Sequence, residues 1–253
     1  MEIILYIIIF IIGCFFGSFF TLAVYRIPRK EDILIKHSYC PNCNHKLGFL
    51  DLFPVLSYVF LMGKCRYCKN KIRPRYLLLE IFSGITFLLY ALSVKLNIYS
   101  VNLLNIIMMY IYISVLFIIA GIDKEKIKIE KSVLIFGFCM ELVYIIYQCI
   151  LKQLYIYKYV MYLIFLIVLL IVSALTLKRK RKLLYSVQIL FLSFYISVFC
   201  GSVIYILSII MTLLIIAFYE VKSKMEKLPI GFFICTSNIV VIIITNFIFN
   251  YLM

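Results

Sequence analysis

Residues 183–219 read LLYSVQILFLSFYISVFCGSVIYILSIIMTLLIIAFY, a stretch with no charged side chain. A helix crosses a bilayer with about 20 apolar residues, so this stretch is too long for one crossing and just long enough for two. The small polar pair Gly201-Ser202 near its middle is the expected break. Working outward, further apolar runs fall at Ile3–Tyr25, Leu77–Val94, Val101–Ile122, Val133–Leu151, Tyr157–Leu177 and Ile230–Leu252. Splitting residues 183–219 makes eight spans, and the charge supports the split. With eight, the loops at 26–76, 123–131, 178–182 and 220–229 lie on one side and hold 23 of the 26 Lys and Arg. Lys- and Arg-rich loops stay in the cytoplasm, so both termini are expected outside and the long first loop inside. Merging the two spans would instead place Lys222, Lys224 and Lys227 outside.

Composition agrees. The 253-residue chain is 66% hydrophobic and 15% charged, with a mean hydropathy of +1.11. A soluble domain is about half apolar and about a quarter charged. The first run has no basic segment ahead of it and is too long for a signal peptide, so it is expected to be a permanent anchor. The net charge of +15 follows from topology and calls for no nucleic acid. Lys178-Arg179-Lys180-Arg181-Lys182 reads as an anchor on anionic headgroups of the lipid bilayer. There is no internal repeat, no phosphate loop and no Ser/His/Asp arrangement. Both histidines, His37 and His45, sit in the first loop, which disfavours a histidine-based hydrolase.

That first loop carries Cys40-Pro41-Asn42-Cys43 and Cys65-Arg66-Tyr67-Cys68, with 21 residues between the pairs. Two such knuckles can present four thiolates to one tetrahedral ion, and zinc is the default occupant. Disulfides are the competing reading, disfavoured in a reducing cytoplasm; an iron–sulfur cluster lacks any other redox feature in the chain. Four thiolates leave no open coordination position, so the metal is expected to be structural. Cys14, Cys139, Cys149, Cys200 and Cys235 fall in the spans and read as small apolar fillers.

Six segments stand out: Gly17-Ser18-Phe19, Val24-Tyr25-Arg26-Ile27-Pro28, Asp51-Leu52-Phe53-Pro54-Val55-Leu56-Ser57-Tyr58, Gly63-Lys64-Cys65-Arg66-Tyr67-Cys68, Arg75-Tyr76 with Glu80, and Leu228-Pro229-Ile230-Gly231-Phe232. Together they resemble the type IV prepilin leader peptidase/N-methyltransferase family. The resemblance is dense over residues 13–85 and thin but colinear afterwards. It implies an all-α polytopic aspartic endopeptidase of the bacterial cytoplasmic membrane that removes the cytosolic leader from prepilins or pseudopilins. Many members then methylate the new N-terminus with S-adenosylmethionine, and the zinc loop belongs to that bifunctional type.

In such enzymes two carboxylates share a site, which pushes their acid and base roles apart. Asp123, in Ala120-Gly121-Ile122-Asp123, stands at the first family position, although Ile129-Glu130-Lys131 replaces the Ile-Pro-Asp expected downstream. At the second position the resemblance puts Lys180, with Leu177 and Arg179 in place of two glycines, and no Asp follows Asp123. Lysine cannot serve as a shared acid and base. Glu220, Glu80 and Glu141 are the weaker carboxylate candidates; Glu141 would lie about 13 Å from the cytosolic edge by helical rise.

Two functions therefore stand side by side. One is a prepilin peptidase of the type IV pilus or protein-secretion systems, using Asp123, with structural zinc on Cys40, Cys43, Cys65 and Cys68. The other is an inactive relative that binds pilins or assists assembly. The expected organisation is a first transmembrane helix at 1–25, a cytoplasmic zinc-binding loop at 26–76 and a seven-helix peptidase-like domain at 77–253.

Overall fold

A computed structural model describes residues 2–33, 37–96, 103–150, 167, 181–222 and 228–252. Among these the protein is all-helical. Its helices are α1 (Glu2–Arg26), the short α2 (Leu56–Phe60), α3 (Arg75–Ser93), α4 (Leu103–Lys126), α5 (Lys131–Ile150), α6 (Arg181–Cys200), α7 (Ser202–Lys222) and α8 (Ile230–Leu252). Five of them, α1, α3, α4, α5 and α8, are long and apolar enough to cross a membrane, while α6 and α7 contain shorter apolar stretches. The span expected at Tyr157–Leu177 lies outside the described residues.

The break in the opening stretch falls at Gly201. Its φ of +80° turns the chain between α6 and α7, a conformation that costs glycine little and other residues more. Its N–H still donates to Ser197 O at 3.1 Å, and its carbonyl accepts from Tyr205 N at 3.1 Å. The helical ladder is therefore nearly continuous through the turn, as a backbone without water requires.

The chain divides into two compact units, residues 1–101 with 246–253, and residues 102–245. In the first, α1 and α3 run antiparallel at very close range. A Cβ added at Gly13 would meet Gly84 Cα at 2.8 Å, and one at Gly17 would meet Glu80 Cα at 2.6 Å. Small residues spaced by four on one face let helix backbones approach where no hydrophobic drive exists between them. The C-terminal end of α3 is closed by residues near the chain terminus: Asn250 Nδ2 donates to Ser93 O at 2.9 Å and Tyr251 Oη to Leu92 O at 3.1 Å. These bonds satisfy carbonyls that a helix end leaves free.

In the second unit the interior holds a polar thread among apolar side chains. The buried Tyr112 hydroxyl donates to Asn238 Oδ1 at 2.7 Å, and Cys200 Sγ lies 3.2 Å from the same hydroxyl. Tyr112 stacks on Phe199 at 4.1 Å between ring centres, and the Tyr195 ring covers Gly137.

Candidate metal centre and carboxylate site

The two knuckles are built alike. Cys40 N donates to His45 O at 3.0 Å while Asn44 N donates to Cys40 O at 2.9 Å; Cys65 N donates to Asn70 O at 2.9 Å while Lys69 N donates to Cys65 O at 3.0 Å. In each, the residue after the second cysteine is left-handed, Asn44 at φ 55° and Lys69 at φ 59°. This equivalence brings the four sulfurs within 4.8 Å of one another. All nine cysteines are free thiols in this structure. Cys40 Sγ and Cys68 Sγ are 3.8 Å apart; a tetrahedron with zinc–sulfur bonds of about 2.3 Å has edges of about 3.8 Å. The four cysteines could hold a metal ion, and the donor set and spacing fit zinc.

The knuckles are also tied to each other. Asp51 pairs with Arg66 Nε at 2.7 Å and accepts from Tyr67 Oη at 3.1 Å. The His45 ring packs on Tyr67 at 3.6 Å between centres. His45 thus serves packing. Arg26, at the end of α1 and buried, donates to the carbonyls of Asp32 and His37 at 3.0 Å each, anchoring the start of the loop. Within the cluster the backbone N–H of Cys68 holds the Cys65 thiol down at about 7. Cys68 is pushed up to about 11: the Asn70 N–H pulls it down, but burial and proton sharing with Cys43, Cys65 and Cys40 outweigh that pull.

Asp123 lies one turn from the end of α4 and is fully buried. The Tyr185 hydroxyl, from the first turns of α6, donates to its carboxylate at 2.9 Å from Oδ1 and 3.0 Å from Oδ2. Phe232 N, in the first turn of α8, donates to Oδ2 at 3.0 Å. The free N–H groups of a helix N-terminus attract negative charge, so Asp123 caps α8 from another helix. Gly231 makes this possible, because a Cβ there would stand 3.0 Å from Asp123 Oδ2. Its N–H in turn points at Tyr185 Oη, 3.5 Å away.

Residues 11–94 match the Bacterial Peptidase A24 N-terminal domain, a segment that contains both knuckles. The prepilin leader peptidase/N-methyltransferase of Vibrio cholerae serotype O1 is 39% identical over 102 residues, 37% of this chain and 40% of the relative. That of Bacillus subtilis is 34% identical over 129 residues, 51% of the chain and 50% of the relative. Through this region the chain is similar to the prepilin leader peptidases. An Escherichia coli O78:H11 relative, described as a type 4 prepilin-like proteins leader peptide-processing enzyme, is 31% identical over 98 residues, 32% of the chain and 36% of that protein. The matches thus span half or less of each relative's length. No solved structure matches the chain.

Within the family frame the remaining carboxylates separate. Glu80 Oε2 accepts from Val55 N at 2.8 Å, and the Ser18 hydroxyl also bonds its carboxyl. Glu141 is buried on α5 with Oε1 unpartnered. Glu220 lies near the end of α7, its side chain outside the described residues, as is Lys180. Among the described residues no second carboxylate hydrogen-bonds to Asp123. Sequence reasoning missed Tyr185, 62 positions away and one of 21 tyrosines. Gly231-Phe232 carries part of the resemblance in sequence, and the structure shows that these residues meet Asp123.

Proposed function

We propose that the chain is a membrane-bound prepilin-processing protein that works where a cytosolic leader meets the apolar helix of a prepilin or pseudopilin. The observation carrying this reading is Asp123, a buried carboxylate beneath a helix N-terminus and a phenol, in a chain whose N-terminal region matches the prepilin peptidase family. The excess of Lys and Arg in the alternate loops supports a cytoplasmic metal loop. Asp123 acts as the base that takes a proton from water during attack on the scissile carbonyl, then returns it to the leaving amine. Tyr185 and Phe232 N–H orient the carboxylate for both steps. Zinc on Cys40, Cys43, Cys65 and Cys68, with no open position, would supply folding energy to the loop rather than chemistry. Where the protein also methylates the new N-terminus, S-adenosylmethionine is the methyl-donor substrate.

A second reading is favoured by a specific observation. Both oxygens of Asp123 are already engaged inside the protein, and no Asp follows it in sequence. A pilin-binding member without cleavage would keep this cap for architecture alone. The two are separated by incubating the zinc-loaded protein in detergent with a full-length prepilin and S-adenosylmethionine, followed by intact-mass spectrometry. Loss of the leader that disappears in Asp123→Ala supports the peptidase; an uncut prepilin that co-purifies with the protein leaves the binding role.

A further inference from the structure

The loop between α1 and α3 contains a segment that does not belong in water. Residues 49–63, FLDLFPVLSYVFLMG, carry one charge, Asp51, which is paired with Arg66. An apolar run of this length is too short to span a bilayer but suits an interfacial or re-entrant element. Its large side chains point outward: Phe49 is 75% exposed, Leu50 68%, Phe60 79% and Met62 84%. Within the described residues nothing covers them.

Two contacts fix where this segment sits relative to the first two long helices, and a third holds the segment together. Phe53 packs edge-on against Phe15 of α1 at 5.3 Å, and Phe49 packs on Phe53 at 6.3 Å. Glu80, five residues into α3, captures the backbone N–H of Val55 at 2.8 Å. By helical rise Glu80 is about 7.5 Å past Arg75, and it faces Gly17, nine residues inside α1 from Arg26. Both helices are long and apolar enough to cross a membrane. The segment therefore lies alongside both helices rather than beyond their ends.

The backbone bears marks of that position. Val55 has φ 62° and ψ −54°, and Leu56 N donates to Pro54 O at 2.6 Å across it. This is a γ-turn of the rare, strained kind, unusual for a β-branched residue. Away from water a free N–H at such a turn is unfavourable, and the Glu80 carboxylate satisfies it. Lys64, Lys69, Lys71, Arg73 and Arg75 follow in the sequence, a run of cations suited to anionic headgroups.

We propose that residues 49–62 form an interfacial anchor that inserts Phe49, Leu50, Phe60 and Met62 into the acyl boundary of an anionic lipid leaflet, setting the metal loop at a fixed height on the membrane. The chain contains no Trp, so single tryptophans report without background. Phe60→Trp, Met62→Trp and, as a water-side reference in the first knuckle, Asn42→Trp are reconstituted into phosphatidylcholine–phosphatidylglycerol vesicles. Part of the phosphatidylcholine carries brominated acyl chains. Insertion predicts that the indole emission of Phe60→Trp and Met62→Trp is quenched at least twofold by the brominated lipid and little by aqueous iodide, with the opposite pattern for Asn42→Trp. Quenching of the first two by iodide alone overturns the proposal. So does shielding from both quenchers, which would mean that protein rather than lipid covers the face. Either outcome is independent of whether the chain cleaves a prepilin.

Discussion

A carboxylate sealed from water must find its hydrogen bonds inside the protein, and Asp123 draws them from residues 62 and 109 positions away. Tyr185→Phe removes the phenol and leaves Phe232 N–H in place. Losing a hydrogen bond to a charged group costs about 1.5–3 kcal/mol, so the melting temperature in detergent should drop. On the peptidase reading the turnover of prepilin should fall about tenfold or more while KM stays nearly constant, because the substituted group orients the base and does not grip the leader. Gly231→Ala puts a methyl 3.0 Å from Asp123 Oδ2 and 3.3 Å from Ile129 Cδ1. It should weaken the same cap, and steady-state cleavage with thermal melting would read both effects. An unchanged turnover in Tyr185→Phe would leave that hydroxyl a purely structural role. Asp123 was legible because Ala-Gly-Ile-Asp at the end of an apolar run resembles a family motif. Its partners were not, since nothing local distinguishes Tyr185 from the other tyrosines; only the helix packing selects it.

The helix pair α1/α3 shows what a sequence reading of apolar runs leaves out. Both runs were evident from length and hydropathy, and the turn at Gly201 followed from the split of an over-long stretch. The stripe Gly13, Gly17 and Gly84 was invisible to that reading, because a hydropathy count treats glycine as filler while packing treats it as the contact. At Gly13 and Gly17 the α3 backbone lies where a Cβ would be, and at Gly84 the Cys14 sulfur and the Phe10 ring do, so added volume must separate the helices. Gly13→Val should cost about 1–3 kcal/mol, the usual penalty of overpacking, and lower the melting temperature in detergent. Gly48→Ala is the matched reference: its Cβ would meet only Asp51 Oδ2, at 3.6 Å, and it should stay within about 0.5 kcal/mol of the parent. Equal melting temperatures for the two variants would contradict close packing as the reason for glycine at 13. The apolar segment at residues 49–63 is likewise in plain view, but treating the whole of 26–76 as one zinc-binding loop conceals it.

On the scale of the molecule, two kinds of folding energy are at work, and metal removal should tell them apart. The long helices satisfy their backbone groups internally and lie in an apolar solvent, so their hydrogen bonds have no competing partner. The knuckles are small, with Cys40 and Cys65 buried and Cys68 exposed, and little apolar surface supports them; for a loop of this kind metal binding is folding energy. The Cys65 thiol lies below its ordinary value, at about 7. A depressed value means that its contribution is complete above the unfolded thiol's range, about 8.5, and is lost as pH falls through about 7. Cys68, raised to about 11, has the opposite sign and must surrender its proton to bind. Each thiol must be deprotonated to bind, so protons compete with the ion, and zinc content measured by atomic emission should fall as pH is lowered, with a chelator present to trap what leaves. Trypsin should then cut at Lys46, Lys64, Lys69 or Lys71, while far-ultraviolet circular dichroism stays nearly constant because the long helices persist. Tryptic cleavage in the loop that is the same with and without metal would show that the knuckles hold themselves together through Asp51, Arg66 and the His45–Tyr67 stack alone. A collapse of helicity on chelation would instead make the metal a foundation for the membrane helices, against the independence argued from their internal hydrogen bonding.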